Sequence, residues 1–114
     1  MSVIYKICPA ALWRAAERDG VFRGAPVDLA DGFIHFSTAA QVVETAVKHF
    51  AGQSDLVLVR VQADKLGGRL KWEPSRGGAS FPHLYGPLDV RDVHKIEPLP
   101  LGTGGQHVFP PLQP

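Results

Sequence analysis

The sequence predicts an α+β fold, a split and mostly antiparallel sheet with two helices near the N-terminus. Two helix-period apolar stripes come early, within 10–20 and 38–50, and strand-like runs crowd the rest of the chain. That order departs from the strict βαβ alternation of a parallel sheet. The 114 residues, 45% apolar and 20% charged, suit one ordered domain with a single core. The domain is expected over residues 1–98, followed by a Pro/Gly-rich flexible tail over 99–114.

The first run, "VIYKI" (3–7), is β-branched and aromatic and reads as a strand. Cys8-Pro9 follows, and proline suits the first turn of a helix. "AALWRAAERDG" (10–20) sets Leu12, Ala15 and Ala16 on one helical face and stops at Gly20. Gly24 and Pro26 make "VFRGAPVDLA" (21–30) a short strand and loop. In "DGFIHFSTAAQ" (31–41) a strand over about 32–36 points Phe33, His35 and Ser37 one way and Ile34 and Phe36 the other. Thr38 and Gln41 have capping-box spacing, with Ser37 an equally good cap. The helix behind them runs to about Phe50, with Val43, Ala46, Val47 and Phe50 as its apolar stripe.

"DLVLVRVQ" (55–62) is the strongest strand, and its nearly continuous apolar run predicts burial on both faces. "GGRLKWEP" (67–74) reads as a strand after a turn. "SRGGASFPHLYGPL" (75–88) is rich in glycine and proline and reads as a loop with at most a brief strand. "DVHKIEPL" (92–99) is a final strand.

Composition bounds the function. Twelve basic and 11 acidic residues leave a net charge of +1, which argues against the broad basic footprint of a duplex nucleic-acid binder. The single cysteine, Cys8, excludes an internal disulfide framework and fits a reducing compartment. No apolar run approaches the ~18 residues a membrane span needs, and the N-terminal stretch lacks a signal peptide's apolar core. A cytoplasmic protein is expected.

None of the five histidines makes an H-x-H, H-E-x-x-H or C-x-x-C spacing, so no metal is expected. His35 has two readings: a half-buried histidine bonded to a neighbouring backbone, or an anion contact at a helix start. There, free N–H groups and the dipole favour phosphate, with Ser37 and Thr38 beside it. In "FPHLYG" (81–86), Pro82 holds Phe81 extended, which places His83 and Tyr85 on one side. With Trp72 nearby, they form either the wall for a planar ring or a cover over an open core edge. Glu73, in "KWEP", is a carboxylate able to stabilise an oxocarbenium ion or act as a base, or else an exposed strand residue. Arg76, in "SRGG", is a phosphate clamp or a solvated charge. Cys8 reads as a small buried thiol.

"IYKI", "GFIHFSTAAQV", "LVLVRV", "KWE" and "FPHLYGPL" together resemble the bacterial domain-of-unknown-function 952 family over residues 3–98. More distantly, the "IHFST" turn and the strands and helices around it resemble the ADP-ribosyltransferase fold. The nearest branch is the RNA 2′-phosphotransferases, which use NAD to accept an RNA 2′-phosphate. The resemblance implies an NAD- or nucleotide-binding protein with ADP-ribosyltransferase-like transfer chemistry, or a non-catalytic small-ligand or protein-binding module on the same cleft. It makes His35 and Ser37 ribose or phosphate contacts and His83 and Tyr85 nicotinamide-side residues, with Thr38 and Trp72, their neighbours on the residue reading, counted as further cofactor-binding candidates. His83 or Glu73 would be the polar partner at the reacting centre. Lys6 stands where the smaller family often carries histidine and can bind phosphate as a point charge, while the phosphotransferases' arginine set is not evident, with Arg60 and Arg76 only loosely placed.

Overall fold

In chain order the elements are β1 (Val3–Pro9), α1 (Ala10–Asp19), β2 (Val21–Phe22), α2 (Pro26–Asp31), β3 (Ile34–His35), β4 (Ser37–Thr38) and α3 (Ala39–His49). They continue with β5 (Leu56–Gln62), β6 (Leu70–Pro74), β7 (Ser80–Leu84), β8 (Leu88–Asp89) and β9 (Val93–Leu99). The structure, a computed structural model, describes residues 2–114 apart from the side chain of Arg76.

Three sheets result, with strand orders β4-β1-β5-β9, β2-β8 and β3-β7-β6, and their strand pairs are antiparallel. The predicted α+β class with a divided antiparallel sheet is therefore the observed one. β5 lies between β1 and β9, as its apolar run requires. Its alternation feeds two cores. Val59 and Val61 face Ile4, Cys8, Trp13, Phe22, Ile34, Phe36 and Leu84 on one side of the sheet. Leu56 and Leu58 face Val3, Tyr5, Ile7, Val42, Ala46 and Leu99 on the other, beneath α3. Among the described residues no helix is long and apolar enough to cross a membrane.

The structure corrects the sequence reading at four places. A third helix, α2, occupies part of the stretch read as strand and loop. Pro26 sits in its first turn, and the Asp28 carboxylate accepts from the Ala25 N–H at 2.8 Å, ending the helix's N-terminus. The strand read over 32–36 breaks at Phe36, so β3 joins the three-stranded sheet and β4 the four-stranded one. β7, a five-residue strand at the centre of its sheet, lies where a loop with at most a brief strand was expected. Its Pro82 is tolerated because the carbonyl takes the Phe36 N–H at 3.0 Å, on the side where β3 has already ended. Finally, the segment expected to be a flexible tail lies against the sheet. Tyr5 Oη donates to the Gln113 carbonyl at 2.8 Å, Arg60 Nη2 donates to that of Pro111 at 2.6 Å, and Phe109 and Leu112 pack on the second core.

Candidate functional site

The outer face of the β3-β7-β6 sheet gathers most of the chemistry. His35 and His83 are directly opposite in the β3–β7 register, so both rings project from the same side of the pleat. Their centroids are 5.5 Å apart with the rings edge-on. Phe33 completes the group: its ring stacks on His83 at 4.1 Å and lies 4.6 Å from His35 and 5.3 Å from Tyr85. The predicted alternation holds here, since Ile34 and Phe36 point into the first core.

Each histidine is anchored through Nδ1 by a carboxylate. His83 Nδ1 donates to Glu73 Oε1 at 2.8 Å, and Tyr85 Oη donates to the same oxygen at 2.8 Å. Those two hydrogen bonds hold the Glu73 carboxyl below its usual range, and the same contact raises the Tyr85 phenol. An ionised Glu73 demands the proton on Nδ1, which leaves His83 Nε2 as the acceptor of the neutral ring. The His83 side chain is 7% exposed and that of Glu73 36%, so the pair stands at the margin of the fold.

His35 is anchored from beneath. Asp28 Oδ1 accepts from His35 Nδ1 at 2.6 Å and from the His35 backbone N–H at 3.1 Å. Lys6 Nζ reaches both oxygens of the same carboxylate at 2.8 Å. Burial pushes the Asp28 carboxyl up, but the His35 hydrogen bond and the Lys6 ammonium outweigh it and hold the group at about 2. Burial lowers the Lys6 ammonium from its ordinary value, against the pull of Asp28. The same burial raises the neighbouring Cys8 thiol to about 11, which leaves it inert as a nucleophile. Gly24 makes the crossing over Asp28 possible: at φ +127° it has no Cβ, and one would lie 2.8 Å from Asp28 Cβ. On its outer edge His35 Nε2 meets Asp31 Oδ2 at 2.9 Å.

The other sequence candidates lie elsewhere. Lys6 is buried in its pair with Asp28, so its charge is not available to a ligand phosphate. Ser37 is also buried. Its Oγ donates to Thr45 Oγ1 at 2.9 Å, because the break at Phe36 has moved it to the other sheet. Thr38 is the N-cap of α3, with its N–H bonded to Gln41 Oε1 at 3.0 Å. Trp72 points to the opposite side of β6 from Lys71 and Glu73 and stays half exposed. The Arg76 side chain lies outside the described residues. Asp28, Asp31 and Lys71 were missed. Pro26 followed by an acid two residues later is a helix-start pattern, and it is the signal that points to α2 and hence to Asp28.

An open cleft of about 290 Å³ adjoins the cluster, lined by Arg23, Leu29, Gly32, Ile34, Leu84 and Pro87, among others. It shares Asp28 and Phe33 with the cluster, but neither histidine lines it. Among the described residues no group of three or more His, Cys, Asp or Glu side chains is placed to hold a metal ion.

No curated protein matches the chain. The crystal structure of protein CC0527 from Caulobacter crescentus, a structural genomics target, is 53% identical, with a TM-score of 0.91 over 94% of each chain. The solution NMR structure of CC0527 is 55% identical, with a TM-score of 0.84 over 93% of this chain and 91% of that one. Residues 7–96 match the family described as "Protein of unknown function (DUF952)". The chain belongs to the DUF952 family.

Proposed function

We propose that the outer face of the three-stranded sheet binds a nucleotide, NAD being the form the motif resemblance implies, and that His83 with Glu73 is its proton-handling pair. One observation carries this reading: His83 lies stacked on Phe33, with Nδ1 tied to an ionised carboxylate and Nε2 left as an acceptor beside a second anchored histidine. Anchoring one ring nitrogen to a carboxylate is how a histidine is oriented for base catalysis. Phe33 and Tyr85 supply flat area for a base or nicotinamide ring, and the adjoining cleft leaves room for the rest of a dinucleotide.

In ADP-ribosyltransferase-like transfer, the bond from ribose to nicotinamide breaks through an oxocarbenium-like state. Glu73, held ionised, supplies negative charge toward that cation, and His83 Nε2 accepts the proton of the attacking hydroxyl. Atoms balance: the nicotinamide leaves as a neutral amide, and the acceptor oxygen bonds to the ribose carbon as its proton passes to His83. Ser37, Thr38, Lys6 and Trp72 have no part in this version of the site.

Titration with NAD, followed by amide shifts in NMR spectra, tests the reading. Shifts concentrated at 33–36, 71–73 and 81–86 support it, and none at millimolar NAD removes it. Nicotinamide release then separates transferase from binding module: NAD bound for days without release leaves only the module.

A further inference from the structure

We propose that His35 Nε2 is an oxyanion subsite, the point where a phosphate oxygen of the ligand sits, and that Asp31 occupies it from within the chain until the ligand arrives. The proposal rests on the nucleotide reading above and assigns one of that ligand's groups to one atom.

The two contacts of the His35 ring are unequal. Inward, Nδ1 is bonded to Asp28, whose side chain is wholly buried and also holds Lys6 Nζ, the Ala25 N–H and the His35 N–H. Breaking that contact strips a donor from a buried charge, which is strongly unfavourable. The ring is therefore fixed in position. Outward, Nε2 meets Asp31, whose side chain is 47% exposed, and a solvent-exposed ion pair contributes little. Rotation of one side chain at the end of α2 releases it. The inner bond positions the imidazole and the outer one exchanges.

Charge specifies what exchanges. Both ring nitrogens stand against carboxylate oxygens, Nδ1 2.6 Å from Asp28 Oδ1 and Nε2 2.9 Å from Asp31 Oδ2, an arrangement that pairs charges when the ring is protonated. An imidazolium N–H aimed at an oxyanion accepts another oxyanion like for like, whereas a neutral group leaves it less compensated. Lys71 brings a second cation to the same face, its Nζ 5.1 Å from the centre of the Tyr85 ring. With Asp31 turned away, the face presents His35 and Lys71 to a phosphate. Asp31 is therefore a competitor for the ligand's phosphate, and removing its charge strengthens binding.

The test compares the wild type with Asp31→Asn, and with Asp31→Ser as a second variant, in titrations with inorganic phosphate and with ADP. The readout is the ring 15N and 1H shifts of His35 together with the amide shifts of the sheet. The expected result is that both probes move His35 Nε2, about tenfold more tightly in either variant than in the wild type. The gain should vanish when His35→Ala is added. Equal affinities in wild type and both variants, or a gain that survives loss of His35, overturns the subsite. The two readings fail separately. Phosphate shifting His35 while ADP leaves Phe33 and Tyr85 unmoved keeps the subsite and removes the nucleotide. ADP shifting Phe33 and Tyr85 with equal affinity in all chains does the reverse.

Discussion

Lys6 Nζ lies 2.8 Å from both carboxylate oxygens of Asp28, and both side chains are almost wholly withdrawn from water. The pair joins the interior of the four-stranded sheet to the underside of His35, so one carboxylate serves both the fold and the candidate site. Removing one partner strands the other. Asp28→Ala should destabilise the protein by about 3–5 kcal/mol in urea unfolding, because it leaves a buried ammonium without a counter-charge. Adding Lys6→Met should recover a substantial part of that loss. A single variant that unfolds like the wild type would show the pair to be energetically idle.

Acid should dissolve this anchor within a defined window. The Asp28 carboxyl is held at about 2, below its ordinary 3.8. A depressed carboxyl contributes stability that is complete above the unfolded-state value and is lost as pH falls through the folded one. The wild type should therefore lose on the order of 2 kcal/mol from this group between about pH 4 and pH 2. Asp28→Asn should show a shallower acid limb over that range in denaturation curves taken at several pH values. Asp89, also held at about 2 by Arg91, is exposed and adds only a screened contribution.

His83 should show a single neutral tautomer. With Glu73 ionised, long-range 15N–1H spectra should place the proton on Nδ1 and leave Nε2 bare. Glu73→Gln offers a donor as well as an acceptor, so the preference should relax. Stability should change little, since Glu73 is partly exposed. An unchanged tautomer in the variant would remove Glu73 as the orienting group.

Ser37 and His35, two apart in sequence, should separate in function. Ser37→Ala loses a buried hydrogen bond to Thr45, at a cost of about 1 kcal/mol, and should leave NAD affinity unchanged. His35→Ala takes a donor from the buried Asp28 carboxylate, so it should cost about 1–3 kcal/mol of stability and also weaken binding clearly. Calorimetry of both variants decides it, and equal losses of affinity would return Ser37 to the site.

The C-terminal segment should depend on Tyr5. Its hydroxyl donates to the Gln113 carbonyl and accepts from the Gln113 N–H at 2.7 Å. Tyr5→Phe removes both contacts, so the Gln113 amide should lose protection in hydrogen exchange, with about 0.5–1.5 kcal/mol of stability lost for each bond. Retained protection would mean that Phe109, Leu112 and Arg60 hold the segment without it.

Patterns that repeat along the chain were legible before the structure. The strands β1, β5 and β9 declare themselves through runs several residues long, and α1 and α3 lie where they were expected, but α3 buries Val42 and Ala46 and leaves Val43 and Val47 of its expected stripe exposed. The side on which Phe33 and His35 lie followed from period two alone. What needed the structure was register. His35 and His83 meet only because β3 and β7 pair, and nothing local records a pairing across 48 residues. Asp28 was hidden for a similar reason. In sequence it is one acid in a glycine- and proline-marked stretch, and its importance comes from Lys6, 22 residues earlier, pointing inward from β1. Ser37 shows how alternation misleads. It shares a face with His35 only if the strand is continuous, and Phe36 interrupts it. Tyr5 and Arg60 were similarly silent about the tail, since a composition rich in proline and glycine says little about a segment fixed by side chains elsewhere in the chain.

The single residue at that interruption has a further consequence. Phe36 is the only link between His35, paired with His83, and Ser37, paired with Tyr5. With its own side chain in the first core and its N–H on Pro82, it has no slack to separate the two ladders. Opening the candidate site therefore means lifting Ser37 from the central strand. The Phe36 amide, bonded to the Pro82 carbonyl, should exchange with solvent only when the two ladders part, which couples the binding face to β1 as one cooperative unit.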